Sequence, residues 1–157
     1  MGLGERENKM LIKILYLILV IYSVISVSVI SHELCHALCA RLFGVKVKEL
    51  KIGAGNVYLL NSRNVIITPF IIAGSVDFDL ESLKHRSVAC AMGLGSSGCI
   101  GNIIVIVLST FLPMKMGIWL WIVLFNVSSI LVSILPVWVD NDMRMAISLI
   151  KEKKQCH

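Results

Sequence analysis

Three stretches of this chain carry no charged residue: Ile14 to Ser31, Val88 to Met114 and Met116 to Val139. They run 18, 27 and 24 residues, against the roughly 20 that a helix rising 1.5 Å per residue needs to cross hydrocarbon. The pattern predicts three membrane helices, over about 10–31, 88–112 and 117–136. The first continues without a break to Leu42, where Gly44 suits the left-handed turn that stops a helix. It also lacks a small-residue cleavage site, so it reads as a permanent span and not as a removed leader.

Between the first two spans the period changes. From Val45 to Asp79, within a strand region of 45–80, β-branched runs alternate with turn residues: VKVKELKIG, NVYLL, a turn at Asn61-Ser62-Arg63-Asn64, VIITPFIIAG and SVDFD. These predict short strands, with a hairpin about that turn. A helix start follows near Glu81-Ser82. Gly93, Gly95, Gly98 and Gly101 crowd one half of the second span, where small residues let another helix approach closely. Beyond Pro136 a short basic amphipathic helix is expected at 143–154. The predicted fold class is an α-helical membrane protein: three transmembrane helices with a small membrane-associated β-sheet between the first and second, all in one domain over 1–157.

Composition agrees with that reading. The chain is 57% hydrophobic with a mean hydropathy of +0.84, too apolar for a soluble domain of ordinary surface. The net charge of +5 does not imply nucleic acid, because the positive residues follow the membrane segments and form no patch interleaved with aromatics. Eleven of the 15 lysines and arginines fall between Arg41 and Arg86 or in the C-terminal tail. Basic residues are retained on the cytoplasmic side, so the N-terminus is expected outside and the C-terminus in the cytoplasm of a multi-pass membrane protein. Trp119, Trp121 and Trp138 sit near the ends of the third span, as interface anchors do. The five cysteines are odd in number and mostly adjoin apolar segments, so they read as small packing thiols.

The chemistry concentrates in His32-Glu33-Leu34-Cys35-His36. Residues i and i+4 share a helix face, so both imidazoles can reach one ion, and Glu33 then stands beside it where a general base belongs. An HExxH match alone is weak, but ionisable groups at membrane depth are costly and want a purpose. The implied cofactor is Zn2+, which needs a third protein ligand and room for water. His85, His157, Asp77, Asp79, Asp140, Asp142 and the cysteines are the candidates. Asp140 and Asp142 fall at the same depth as the histidines, yet could equally cap the final helix. Asp77 and Asp79 read as solvated strand or turn residues.

At these residues the chain resembles the site-2 protease family, the intramembrane zinc metalloproteases. HELCHALCARLFGVKV is similar to the family's H-E-x-x-H helix with its glycine exit, and Ile72-Ala73-Gly74-Ser75-Val76 resembles its membrane-associated sheet. Gly98-Cys99-Ile100-Gly101-Asn102 resembles the G-P-x-x-N pattern, with Cys99 where proline is usual. Asn126 stands ten residues before Pro136, as in the family's third span, but Ser133 replaces the Asn of N-x-x-P. The family's third ligand is an Asp of an Asp-Gly pair; here Asn141 aligns with it, between Asp140 and Asp142.

The resemblance implies a metalloendopeptidase in which His32 and His36 hold zinc and Glu33 is the catalytic base; because an amide oxygen is a poorer zinc ligand than a carboxylate, a one-residue shift that brings Asp142 inward is expected to supply the third ligand, with Asp140 the second choice. It implies that Asn102 contacts substrate, and that the strand Ile71 to Val76, with Gly74, pairs with an unwound peptide by strand addition. The substrate is then a membrane-spanning or membrane-inserted peptide cleaved near the cytoplasmic face. With no PDZ-like extension in view, recognition is left to the membrane core or to a separate regulatory membrane partner. Two other readings are open. A catalytically degenerate protein of the same fold would bind partner helices; a metal transporter would place ionisable residues along the full depth of its spans, and because the sequence shows them only at one end it ranks last.

Overall fold

A computed structural model describes residues 3–84, 86–135 and 147 of the chain. Its first element is one helix, α1 (Leu3–Leu42), of 40 residues. At 1.5 Å per residue it is about 60 Å long, twice the thickness of a hydrocarbon core. It starts ahead of the expected Met10, since Arg6, Glu7 and Lys9 are good helix formers and charge does not interrupt the backbone ladder. Its end is a Schellman turn. Gly44 has φ +65°, the Gly44 amide bonds to Arg41 O at 3.1 Å and the Val45 amide to Ala40 O at 2.8 Å, so the last carbonyls are satisfied.

Four strands follow: β1 (Val47–Ala54), β2 (Leu60–Asn61), β3 (Val65–Ile67) and β4 (Phe70–Phe78). Their order is β2-β3-β1-β4. β2 and β3 form the hairpin expected around Ser62 and Arg63, pairing Leu60 with Ile67 and Asn61 with Ile66. β1 runs parallel to β3 and antiparallel to β4. Two sequence segments are redistributed. VIITPFIIAG divides at Thr68-Pro69, where proline has no amide to give a ladder, and its second half fuses with SVDFD because Gly74 and Ser75 stay extended opposite Ile52 and Lys51.

β4 is an edge strand, and its first residues are tied to α1. The Tyr22 hydroxyl donates to Pro69 O at 2.6 Å and accepts from the Ile71 amide at 3.2 Å, while Ser26 Oγ donates to Ile71 O at 3.2 Å. Backbone groups that would otherwise need water are thereby satisfied by side chains of an apolar helix.

A short helix, α2 (Leu80–Lys84), leads into α3 (Val88–Thr110), and α4 (Met116–Ile134) completes the described fold. The helix start expected near Glu81 is thus a separate five-residue turn of helix. The longer helix begins afresh at Ser87, whose side chain accepts from the Cys90 amide as an N-cap. α4 stops short of residue 136: Leu135, at φ −80° and ψ 111°, is extended, as a residue before proline prefers.

α1, α3 and α4 are each long and apolar enough to cross a membrane. α1 exposes its side chains from Met10 to Leu19, and α3 exposes Ile103, Ile104, Val107 and Leu108. Burial is concentrated at the other end. There Ala40, Val45, Phe78, Leu83, Cys90 and Leu94 form one core cluster that joins the end of α1 to the sheet, α2 and the start of α3. Cys90 and Cys99 are buried, and Cys35 and Cys39 are half-buried. Trp138, Asp140, Asn141, Asp142, the expected helix at 143–154, His85, Cys156 and His157 lie outside the described residues.

Candidate active site

His32, Glu33 and His36 lie in the last three turns of α1, at its crossing with α3. Glu33 is 7% and His36 3% exposed, and His32 beside them is half-buried. One helical turn apart, the two imidazoles meet edge to face, with ring centroids 4.8 Å apart. Their Nε2 atoms face each other at 3.2 Å.

α3 supplies what surrounds them. His36 Nδ1 lies 2.9 Å from Leu94 O and 2.9 Å from Ser97 Oγ, and the Ser97 hydroxyl donates to the same carbonyl at 2.7 Å. A carbonyl oxygen can only accept, so the His36 proton sits on Nδ1 and its Nε2 presents a lone pair. Asn102, 1% exposed, places Nδ2 3.2 Å from His32 Nδ1 and 3.0 Å from Ser129 Oγ on α4.

The glycines of α3 are spacers with identifiable neighbours. A Cβ on Gly98 would collide with Cε1 and Nε2 of His32 and with Nε2 of His36. One on Gly101 would strike the Ser31 backbone. The expected packing of the glycine-rich half against another helix is therefore packing on α1, at the histidines themselves. Cys99, where the family pattern has proline, lets α3 run on without losing a backbone bond.

β4 closes the other side. A Cβ on Gly74 would lie 2.9 Å from Glu33 Cδ and 2.9 Å from its Oε1, so the strand backbone lies directly against the carboxyl group. Beside it is a cavity of about 380 Å³ lined by Ser28, His32, Glu33, Gly74, Ser128, Ser129 and Ser133, with Phe125 and two valines. A water molecule occupies about 30 Å³ in the liquid, and hydroxyls line this space amid apolar helices. Ser133 thus faces the cavity at the position where the family pattern has Asn. Asn126 is fully buried and donates to Ile122 O at 2.8 Å.

The structure brings His32, Glu33, His36, Asn102 and Gly74 together. Asp77 and Asp79 are elsewhere, at the far end of β4, where Asp79 pairs with Lys48 at 3.5 Å. Among the described residues no three His, Cys, Asp or Glu side chains stand close enough to share an ion; Asp142 and Asp140 lie outside them. Sequence reasoning missed Ser97, Leu94 O, Ser129, Tyr22 and Ser26. Only Ser97, beside Gly98 in the small-residue run, carried any signal.

The family model for peptidase family M50 matches residues 20–152. The chain belongs to this family, that of the site-2 proteases. No curated protein matches the chain. Family M50 is one of metallopeptidases, generally zinc-dependent, and the matched segment includes the histidine helix, the sheet and residues 140–142.

The geometry fits the family's metal. Two nitrogens each about 2.05 Å from a tetrahedral zinc stand about 3.3 Å apart, close to the 3.2 Å observed between the imidazole tips. At those tips α3 has only the hydrogen of Gly98, so the space where two M50 ligands would meet an ion is one that any larger residue would fill.

Proposed function

We propose that this chain is an intramembrane zinc metalloprotease, hydrolysing peptide bonds of membrane-spanning or membrane-inserted substrates near the cytoplasmic face. The observation that carries the reading is the position of Glu33, buried against Gly74 of the edge strand β4 and lining one cavity with His32. A carboxylate there is costly unless it has work to do. Its retention speaks for catalysis over a degenerate, partner-binding protein.

His32 and His36 would hold the zinc through Nε2, with Asp142 the proposed third ligand and Asp140 the second choice. When bound, the ion supplies Lewis-acid polarisation of water and of the peptide carbonyl. Glu33 accepts the proton of the attacking water and passes it to the leaving amine. The serine-lined cavity admits water, and the surrounding apolar helices keep the reacting groups in a low-dielectric setting where each charge interaction counts for more.

A helical substrate must unwind before a protease can reach its backbone, and its freed amides and carbonyls then need partners in lipid. The edge of β4 offers them by strand addition. Ile71 is already bonded to Tyr22 and Ser26, so pairing falls on the part of the strand nearer Gly74, next to Glu33. The excess of basic residues between Arg41 and Arg86 favours a cytoplasmic sheet and an external N-terminus.

The test is reconstitution of the full chain in liposomes with a single-span peptide, alongside zinc analysis. Zinc-dependent cleavage that disappears in Glu33→Gln supports the proposal. A wild-type chain that binds no zinc, or cleavage unchanged in Glu33→Gln, overturns it.

A further inference from the structure

The resemblance assigns Asn102 to the substrate, but the geometry points to a different partner: we infer that Asn102 is a positioning residue for the metal ligand His32, its amide selecting the ring tautomer that can bind zinc. The inference rests on the zinc reading above. It starts from two neighbouring facts. The Asn102 amide nitrogen faces His32 Nδ1 at 3.2 Å, and its Oδ1 is buried without a hydrogen-bond partner among the described residues.

In this orientation Nδ2–H donates to His32 Nδ1. The ring's own proton then sits on Nε2, from where it can be donated to Nε2 of His36, whose Nδ1 proton is committed to Leu94 O. In that tautomer Nε2 of His32 has no lone pair to offer an ion. This tautomer suits a pair without an ion; one end of the buried Asn102 amide lacks a partner among the described residues in either orientation, so what distinguishes the two orientations is the group that faces His32 Nδ1.

Turning the amide through 180° exchanges its oxygen and nitrogen with no change of shape. Oδ1 then accepts from His32 Nδ1–H and also from the Ser129 hydroxyl, which can donate as readily as accept. Both imidazoles now direct Nε2 lone pairs at one point in front of Gly98. Two Nε2 lone pairs directed at one point with their nitrogens 3.2 Å apart favour a cation there, so amide orientation and metal occupancy are coupled. An acceptor behind a metal-bound histidine is the usual means of orienting such a ligand. Ser129 brings α4 into the coupling.

The experiment measures zinc affinity of the full-length chain in detergent, by competition with a chromophoric chelator, in wild type, Asn102→Leu, Asn102→Asp and Ser129→Ala. A carboxylate can only accept from Nδ1–H, so Asn102→Asp binds zinc as tightly as wild type or more tightly. Asn102→Leu, of similar size, binds about 10–100-fold more weakly, and Ser129→Ala loses less. Nitrogen NMR of the His32 ring reads the mechanism directly: Nε2–H without zinc, Nδ1–H with it.

Zinc affinity unchanged in Asn102→Leu, with only KM for peptide raised, makes Asn102 a substrate contact and overturns the inference. Zinc binding weakened more than tenfold in Asn102→Asp overturns it as well, because donation by the amide would then be what matters. Absence of zinc from the wild type is the distinct failure of the underlying proposal and removes this one with it.

Discussion

His32 and His36 turn their Nε2 atoms toward each other across 3.2 Å, on successive turns of α1. Neither ring can be replaced without opening one side of that gap. His32→Ala and His36→Ala are each expected to lower zinc affinity by more than about 100-fold, beyond the 10–100-fold range typical of losing an outer-shell partner. Zinc-to-protein stoichiometry after gentle purification checks this.

The role proposed for Glu33 is to handle protons and not to hold the ion. Glu33→Gln keeps the volume and removes the base, so cleavage should fall by about 10²–10⁴-fold. Zinc content should stay at the wild-type level. Parallel measurement of turnover and bound metal separates the two roles.

Gly98 is the residue whose missing side chain leaves the imidazole tips accessible. In Gly98→Ala the methyl group meets both rings, and relief requires moving α3 away from α1 or rotating a histidine. Overpacking of this kind costs about 1–3 kcal/mol. Zinc binding should fail along with a lowered melting temperature, whereas Gly117→Ala, in α4 and meeting nothing within 4 Å, should lower neither.

Tyr22 ties the start of β4 to α1. Tyr22→Phe removes the partner of Pro69 O and of the Ile71 amide, and stranding such groups costs about 1–3 kcal/mol. Amide exchange at residues 70–72 should accelerate selectively, with exchange in the core around Leu94 unaffected. Uniform acceleration would show that Tyr22 supports the whole fold and not this strand.

Metal removal offers a measurement independent of any substrate. Zinc that binds only the folded chain stabilises it by about 2.7 kcal/mol at a free concentration 100 times Kd. Chelation should therefore lower the melting temperature of the wild type and leave His36→Ala unmoved.

What could be read along the chain was whatever repeats or completes itself locally. Charge-free runs long enough to cross hydrocarbon marked α1, α3 and α4, Gly44 marked the end of α1, and the turn at Ser62 and Arg63 marked a hairpin. HELCH was legible because i and i+4 meet on any helix, whatever surrounds it. Strand order was not, since β1 pairs with β3 and β4 by packing and not by proximity in the chain.

The contacts that turn a pair of histidines into a site belong to the tertiary structure. Asn102 reaches His32 across 70 residues of sequence, Ser97 and Leu94 O settle the His36 proton, and Gly74 brings an edge strand against Glu33. Periodicity reports which face of an element is apolar, and that information stays within the element. Which atoms of two faces meet depends on how closely the backbones approach, and here that approach was set by the absent side chains of Gly98, Gly101 and Gly74.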